Sequence, residues 1–437
     1  MINVKINDKQ FEYDIHSLVK AFYPGEDVTV SVQALNPEFE LIFSGNSFIF
    51  KVSGTDCSGE ASFSENAERP EKKNILKRLL YSVLSKYTGK ELPWGDLTGI
   101  RPTKIPMKLL TEGKSDSFIL DYMKNTYFIS DEKGRLALDI AKREKSILDK
   151  VHYKDGYSIY IGIPFCPTTC LYCSFTSNPI ALWKNTVADY LGCLDKELKY
   201  IKESMEGKVL DTIYIGGGTP TTLEAAELEI LLSSIDKYFD VSLLSEFTVE
   251  AGRADSITID KLKVLKKHGV TRISVNPQTM NQKTLDVIGR RHTVEDTVRA
   301  FNDARGLGFN NINMDIILGL PGEGEAEVTH TINEIVKLKP DSLTVHSLAL
   351  KRGSRLHERL SQIGMETMIN TEATMKIAEE GAAELNLLPY YLYRQKNMAG
   401  NFENTGYARE GAYGIYNILI MEEVQTIVAC GAGTVTK

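Results

Sequence analysis

Two rhythms of apolar and polar positions run along this chain. From Tyr157 onward short apolar runs recur, YSIYIGIP, DTIYIG, EFTVEA, TRISVN, NINMDIILG and DSLTVHSLAL, separated by longer stretches such as NTVADYLGCLDKELKYIKESM and TTLEAAELEILLSSIDKYF. Brief runs rich in Ile, Val and Tyr read as strands, and apolar positions recurring three and four residues apart read as helices. Strands and helices in alternation predict βα units on a parallel sheet. Six such strands predict an α/β chain built as a partial (β/α)6, TIM-like barrel rather than a closed eight-stranded one. Functional groups of such sheets gather at the carboxyl ends of the strands.

Before residue 150 the rhythm is different. FELIFSG and SFIFKVSG alternate like half-buried strands, whereas KKNILKRLLYSVLSKYTG and ALDIAKREKSILDKVH have helical spacing. Residues 1–150 are therefore expected to form a separate α+β accessory module, with polar VHYKDG and Gly156 marking its end. The Gly- and Pro-punctuated LPWGDLTGIRPTKIP inside it carries Trp94, Arg101 and Lys104. Residues 151–365 hold the barrel pattern. Beyond them NTEATMKIAEEGAAELNL reads as a helix, and LPYYLYRQKNMAGNFENTGYAREGAYGIYN turns rich in Tyr, Asn and Gly. Residues 366–437 are expected as a short, truncated C-terminal region.

Charge removes some classes of function. The 51 Lys and Arg against 58 Asp and Glu give a net charge of -7, and the basic residues are scattered, so a nucleic-acid footprint is not expected. The start, MINVKINDKQFEYD, lacks the pattern of a signal peptide, and no run of apolar residues is long enough to span a bilayer. A cytoplasmic protein is expected. Of six cysteines, Cys57, Cys193 and Cys430 read as ordinary buried or semi-buried thiols. Cys166, Cys170 and Cys173 fall within CPTTCLYC, too closely spaced for a secreted disulfide framework.

Three thiols so placed can ligate zinc, do redox chemistry or hold an iron-sulfur cluster. Zinc is disfavoured because no second CxxC or HxxxH lies nearby, the closest histidines being His152 and His268. A CxxxCxxC loop can supply three ligands to a cubane cluster and leave the fourth iron open. The loop follows the first strand of the βα series, which puts it at the rim. Later strand ends bring IGGGTPT, whose glycines permit close backbone approach, then Glu250, Gln278 and Asp315, with Arg290 one helix beyond Gln278. His292 and His346 lie near the same rim and read as packing histidines.

The cysteine loop, with Tyr172 before its last cysteine, closely resembles that of the radical S-adenosylmethionine (SAM) superfamily. The series IPFCPTTCLYC, IGGGTPT, VEAGR, SVNPQT, GRRH and MDIILGLPGE resembles the oxygen-independent coproporphyrinogen III oxidase family over about residues 157 to 435. LTGIRPTKIP and YYLYRQKNMAGNFENTGYA look like its HemZ-type coproporphyrinogen dehydrogenase branch. The resemblance implies a radical SAM barrel with one 4Fe-4S cluster on Cys166, Cys170 and Cys173. It implies SAM, with a second molecule beside the first, contacted by Tyr160, Tyr172, Gly217, Gly218, Thr219, Glu250, Gln278, Arg290, Asp315 and Ala349.

The implied reaction turns two propionates of coproporphyrinogen III into the vinyl groups of protoporphyrinogen IX in heme biosynthesis, without oxygen. The difficult chemistry belongs to the cofactor, with no catalytic side chain beyond it. The implied partners are the tetrapyrrole and a reduced donor of flavodoxin or ferredoxin type, acting on a monomer. Arg394 and Lys396, with Tyr390, Tyr391 and Tyr393, are candidates to surround the tetrapyrrole.

Two departures bear on this. Phe175 stands where the best-defined oxidases have a fourth cysteine, as in heme-chaperone relatives, and the N-terminal module replaces the oxidases' substrate segment. The alternatives are a heme chaperone, a radical SAM methylase or ring-opening enzyme acting on heme, and a zinc-stapled structural domain. The accessory module is expected to brace the barrel.

Overall fold

Alternation along FELIFS and SFIFKV buries Phe39, Leu41, Phe48, Phe50 and Val52 on one face of a sheet. A computed structural model, which describes residues 1–99, 101–351, 353–395 and 402–437, shows where that sheet belongs. The chain forms two compact units, Met1–Asp139 and Ile140–Lys437. In the first unit, strands β1 (Ile2–Ile6), β2 (Val28–Ser31), β3 (Phe39–Ser44), β4 (Ser47–Val52) and β5 (Ser58–Ser62) lie in the order β2-β1-β3-β4-β5. Their buried face packs on the helices Glu12–Phe22 and Arg69–Thr88. The second helix has Pro70 in its first turn and stops at Gly89, whose φ of 67° a residue with a Cβ would adopt reluctantly.

The second unit contains β6 (Tyr157–Ile163), two short strands β7 (Phe165–Cys166) and β8 (Asn178–Pro179), then β9 (Leu210–Gly217), β10 (Glu246–Gly252), β11 (Arg272–Val275), β12 (Ile312–Leu318) and β13 (Ser342–Ser347). β14 (Leu388–Tyr393), β15 (Asn404–Ala408) and β16 (Thr426–Cys430) follow. They form one sheet in the order β14-β15-β13-β12-β11-β10-β9-β6-β16, with β7 and β8 paired apart. From β13 to β16 the pairing is parallel, whereas β15 and β14 join antiparallel at one edge. The six strands read from the sequence form the parallel run β6, β9, β10, β11, β12 and β13, the partial barrel.

Residues 366–437 thus extend the same sheet at both edges. β16 pairs Ala429 with Tyr160, so the last strand lies beside the first of the barrel. The division between the units falls inside the helix Asp131–Leu148, not at Gly156. Apolar contact decides this: Ile147 and Leu148 pack with Tyr390, Ile418 and Leu419 of the second unit.

The two faces of the large sheet differ. Ile159, Ile161, Ile213, Ile215, Phe247, Val249, Ile273, Met314 and Val345 pack into the helix layer. The intervening positions point to the other face, because strand side chains alternate, and they are Ser158, Tyr160, Thr212, Tyr214, Glu246, Thr248, Glu250, Arg272, Ser274, Asn313, Asp315, Thr344 and His346. Strands of a parallel sheet covered on both faces usually read as continuous apolar runs. Here the inner face is polar, and burying it is costly unless the groups find partners. Many do: Thr212 Oγ1 donates to Ser158 Oγ at 2.9 Å, and Ser158 Oγ donates to Gln425 Oε1 at 2.6 Å. Arg272 donates to Ser342 Oγ at 3.1 Å, which donates to Asn313 Oδ1 at 2.9 Å.

Candidate active site

The cysteine loop leaves β6 at Pro164 and is held against the end of β9. The Gly218 and Thr219 amides donate to the carbonyls of Ile163 and Phe165, each at 2.7 Å. A Cβ at Gly218 would stand 2.4 Å from the Phe165 oxygen, so only glycine lets the two chains meet. Gly217 has a φ of 103°, and Gly216 lies against the Glu250 carboxyl, where a Cβ would come within 3.1 Å. The glycine run therefore seats the cysteine loop as well as clearing space beside it.

Polar groups reach the sulfurs from neighbouring strands. Thr219 Oγ1 donates to Cys166 Sγ at 3.5 Å, and Arg253 Nη1 lies 3.6 Å from Cys170 Sγ. Arg253 is buried, also donates to the Thr168 carbonyl and hydroxyl at 3.0 and 2.8 Å, and pairs with Asp255 at 2.6 Å. Burial alone would raise the Asp255 carboxyl, but His292, 3.7 Å away, and Arg253 hold it below the usual range. Arg290 donates to Tyr172 Oη at 3.2 Å and to the Asn276 carbonyl. Burial disfavours its charge, yet Tyr172 and Cys170 more than offset this. Leu171 N donates to the Ile288 carbonyl at 2.9 Å, tying the loop to the turn before Arg290.

Two carboxyls on the inner face are driven apart. Glu250, which accepts from Tyr214 Oη, is pushed up to about 7, mainly by burial, with the Asp315 charge adding and the Tyr214 hydrogen bond opposing. Burial also works to raise Asp315, but His346, 3.8 Å away, and Asn313, donating at 2.6 Å, hold it low. Tyr160 stacks on Tyr214 and Tyr416 at 5.9 Å beside them. Neighbouring carboxyls with separated affinities for protons are a hallmark of functional sites.

Gln278 sits at a φ of 68°, unusual for a residue with a side chain, between hydrogen bonds to β12 through Asp315 and Ile317, each at 2.9 Å. Its Oε1, Asn276 Oδ1 and Arg290 Nε are buried without a hydrogen-bond partner among the described residues. Such atoms call for a ligand or water to complete them. Ala349 is half-buried just past β13. Tyr390 and Tyr391 instead pack in an apolar cluster with Ile147, Ile418 and Leu419. Tyr393 Oη is 3.4 Å from His346 Nδ1, and Arg394 is buried, its guanidinium lowered to about 10 by burial with Glu403 opposing. Lys396 lies outside the described residues.

The donor set fits a cubane cluster. Its three thiols lie on one loop, Thr219 and Arg253 reach two of the sulfurs, and a cubane places each thiolate on its own iron. Burial pushes the Cys166 and Cys173 thiols up. Elsewhere Cys57 is half-buried and Cys430 is buried and pushed up to about 12 by burial, but Cys193, expected to be at least half covered, is exposed on the helix Val187–Ser204. Sequence reasoning missed Arg253, Asn276, Tyr214 and Tyr416. The alternation of strand residues could have found Tyr214, whereas only the fold brings Tyr416 to it.

A sequence profile of the Radical SAM superfamily matches residues 160–335. The oxygen-independent coproporphyrinogen-III oxidase-like protein HemZ of Bacillus subtilis is 44% identical over 369 residues, which cover 84% of this chain and 74% of HemZ. The heme chaperone HemW of Bacillus subtilis is 39% identical over 195 residues, and the chain spans about half (51%) of its length. The coproporphyrinogen III oxidase HemN from Escherichia coli, a radical SAM enzyme, superposes with a TM-score of 0.52 over 67% of each chain at 21% identity, a likeness of fold. Among the described residues no helix is long and apolar enough to cross a membrane. The cofactors of the superfamily are a 4Fe-4S cluster and SAM, and this chain belongs to the radical SAM superfamily, in the HemZ-type branch of the oxygen-independent coproporphyrinogen III oxidase-like proteins.

Proposed function

We propose that this chain is an oxygen-independent coproporphyrinogen III dehydrogenase of the cytoplasm. Each reacting propionate would lose one hydrogen atom to the radical that the cofactors supply, then carbon dioxide, with one electron passing to a separate one-electron acceptor, and would become a vinyl group. The observation that carries the reading is the buried polar inner face, running from Glu250 and Asp315 to the cysteine loop with polar atoms left unpartnered. Its support from relatives is the similarity to HemZ over most of the chain.

In this reading Cys166, Cys170 and Cys173 hold the cluster, and Tyr160, Tyr172, Gly217, Gly218, Thr219, Glu250, Gln278, Arg290, Asp315 and Ala349 hold SAM. When bound, cluster and SAM together supply a carbon-centred radical able to remove a hydrogen atom from the propionate. The chain's own residues position and shield. Arg253 places positive charge beside the Cys170 sulfur and Thr219 a hydroxyl donor on the Cys166 sulfur, and both oppose the burial that pushes the Cys166 thiol up. The ionised Glu250 accepts from ribose hydroxyls, and Tyr160, Tyr214 and Tyr416 keep water from the space beside it. Gln278, fixed by two backbone bonds to β12, offers its free Oε1 to the polar end of the ligand.

The test is anaerobic: reconstitution with iron and sulfide, dithionite reduction, and incubation with SAM and coproporphyrinogen III. Deoxyadenosine and protoporphyrinogen are expected together, and both fall to background in Cys170→Ala. SAM cleavage without vinyl product defeats the substrate assignment. Failure to bind iron defeats the cluster assignment as well.

A second reading, a heme chaperone, is favoured by Phe175 two positions beyond Cys173 and by the similarity to HemW. Stoichiometric heme transfer without porphyrinogen turnover selects it over the first.

A further inference from the structure

The cysteine loop also has an outer side, which the reaction does not use. Cys166 and Cys170 are buried, but Cys173 is half-buried, and two residues on Phe175 is 69% exposed. The Lys351 ammonium lies 5.1 Å from the centre of the Phe175 ring. The short helix Arg355–Glu358 is pinned to the same loop, because Leu356 N donates to the Leu171 carbonyl at 2.8 Å. Residues 351–359, KRGSRLHER, carry four Lys or Arg against one Glu in a chain whose net charge is -7. Arg355 and Arg359 are exposed, and among the described residues neither they nor Lys351 makes an ion pair. An unpaired basic collar thus adjoins an exposed aromatic beside the most accessible thiol of the loop.

We propose that this collar is the docking surface for an acidic one-electron carrier protein of low-potential flavin or iron-sulfur type. The proposal rests on the loop's holding the cluster and is independent of the tetrapyrrole assignment. One electron leaves the reduced carrier and enters the cluster, and no bond forms or breaks in that step. Electron transfer falls steeply with distance, so a carrier works best where the ligand loop comes nearest to solvent, and that is the Cys173 side. Charge complementarity identifies the occupant: Lys351, Arg355 and Arg359, without an ion pair among the described residues, attract an acidic partner and speed its encounter. Aromatic and Arg side chains are the residue types that carry binding energy at protein interfaces. With a net charge of -7 the chain as a whole offers such a carrier no attraction, so the pull must come from a local basic group of this kind.

The test compares a protein reductant with a small one. The wild-type chain and an Arg355→Glu/Arg359→Glu double variant, both cluster-loaded, are reduced either with dithionite or with an acidic flavodoxin or ferredoxin held reduced by its reductase. Cluster reduction is followed by electron paramagnetic resonance, carrier binding by calorimetry and SAM cleavage by deoxyadenosine release. The double variant is expected to bind the carrier at least about tenfold more weakly and to lose carrier-driven reduction in proportion, with dithionite-driven SAM cleavage unchanged. Phe175→Ala is expected to weaken carrier binding with the same selectivity. Raised salt should weaken the wild-type complex more than the variant complex.

Equal loss with both reductants overturns the proposal, because the collar would then serve the reaction or the fold. Unchanged carrier binding in the double variant, or no reduction of the wild-type cluster by either carrier, overturns it too. Carrier-driven SAM cleavage without vinyl product leaves the docking surface standing and defeats only the substrate assignment.

Discussion

The two sheets of this protein bury their faces for different reasons. In the first unit Phe39, Phe48 and Phe50 are covered, Phe43 and Phe48 meet edge to face at 4.9 Å, and the alternate positions carry solvated groups such as Glu40, paired with Lys5 at 3.2 Å. Each covered phenylalanine contributes roughly 1.5–3 kcal/mol, and no polar partner has to be found. In the second unit the helix-facing side follows the same rule, but the inner side buries Glu246, Glu250, Arg272 and Asp315. Burial there opposes every charge and is tolerated only through specific partners. The comparison teaches that the first sheet is built for cohesion, and that the second gives up stability on one face to hold a set of buried polar groups together, which the proposed function uses for a ligand.

Arg272→Met tests the inner face most severely. It leaves the buried Glu246 without its main cationic neighbour and should cost about 3–5 kcal/mol in chemical denaturation of the second unit. A loss below about 1 kcal/mol would mean that the hydrogen bonds from Thr248 and Ile415 suffice for Glu246 without the Arg272 charge. Phe48→Ala is the counterpart in the first sheet and should cost roughly 3–5 kcal/mol there. Trp94 is fully buried in that unit and Trp183 is 44% exposed in the other, so Trp94 fluorescence in a Trp183→Phe background reports the first unit. The cluster content of the second unit should stay unchanged, and loss of iron in Phe48→Ala would break the comparison.

Gly218→Ala should cost about 1–3 kcal/mol as an overpacking change. Because the added carbon meets the Phe165 carbonyl at 2.4 Å, the cysteine loop must shift, and iron uptake should fall even in the folded fraction. The smallest effect expected is the pH response of Glu250. Its proton is held in the folded chain up to about pH 7 against an ordinary value near 4.5, so the folded state binds more protons between those limits. Stability is therefore fully kept below this window, is lost as pH rises through it and is level above. SAM binding to the ionised carboxyl runs the other way and should tighten about tenfold from roughly pH 6 to 8. Glu250→Gln should abolish the binding trend and remove only the Glu250 share of the stability trend. Asp96 in the first unit is also pushed up to about 7 by burial, so only the SAM-binding profile separates the two groups.

Much of the site was legible because its motifs are local. CPTTCLYC spaces three thiols on one loop, and the ends of β9 and β10 deliver Gly217 and Glu250 toward one rim, since parallel strands in sequence order must align their carboxyl ends, whereas Asp315, expected at the end of its strand, lies in the middle of β12 on the same inner face. The polar alternation inside the strands was equally visible, though its meaning was not. Tyr390 and Tyr391 read equally as ligand aromatics or as a packing segment; both join the cluster in which Ile418 and Leu419 cover β14, and Tyr391 also lies near Asp315. Gly218 looked like clearance for a ligand and also seats the loop.

What the sequence by itself determined was the βα rhythm, the place of the cysteine loop after the first barrel strand and the residue types at each strand end. Those follow from covalent spacing and from the period of strand and helix, which act over a few residues. The tertiary structure alone decided that β16 returns to pair with β6, that Arg253 lies 3.6 Å from the Cys170 sulfur across 83 residues, and that Leu356, next to Arg355, hydrogen-bonds the loop at Leu171. These contacts join segments far apart in the chain, and only packing of the whole sheet, with its partners for buried charge, selects among the pairings that local preference leaves open.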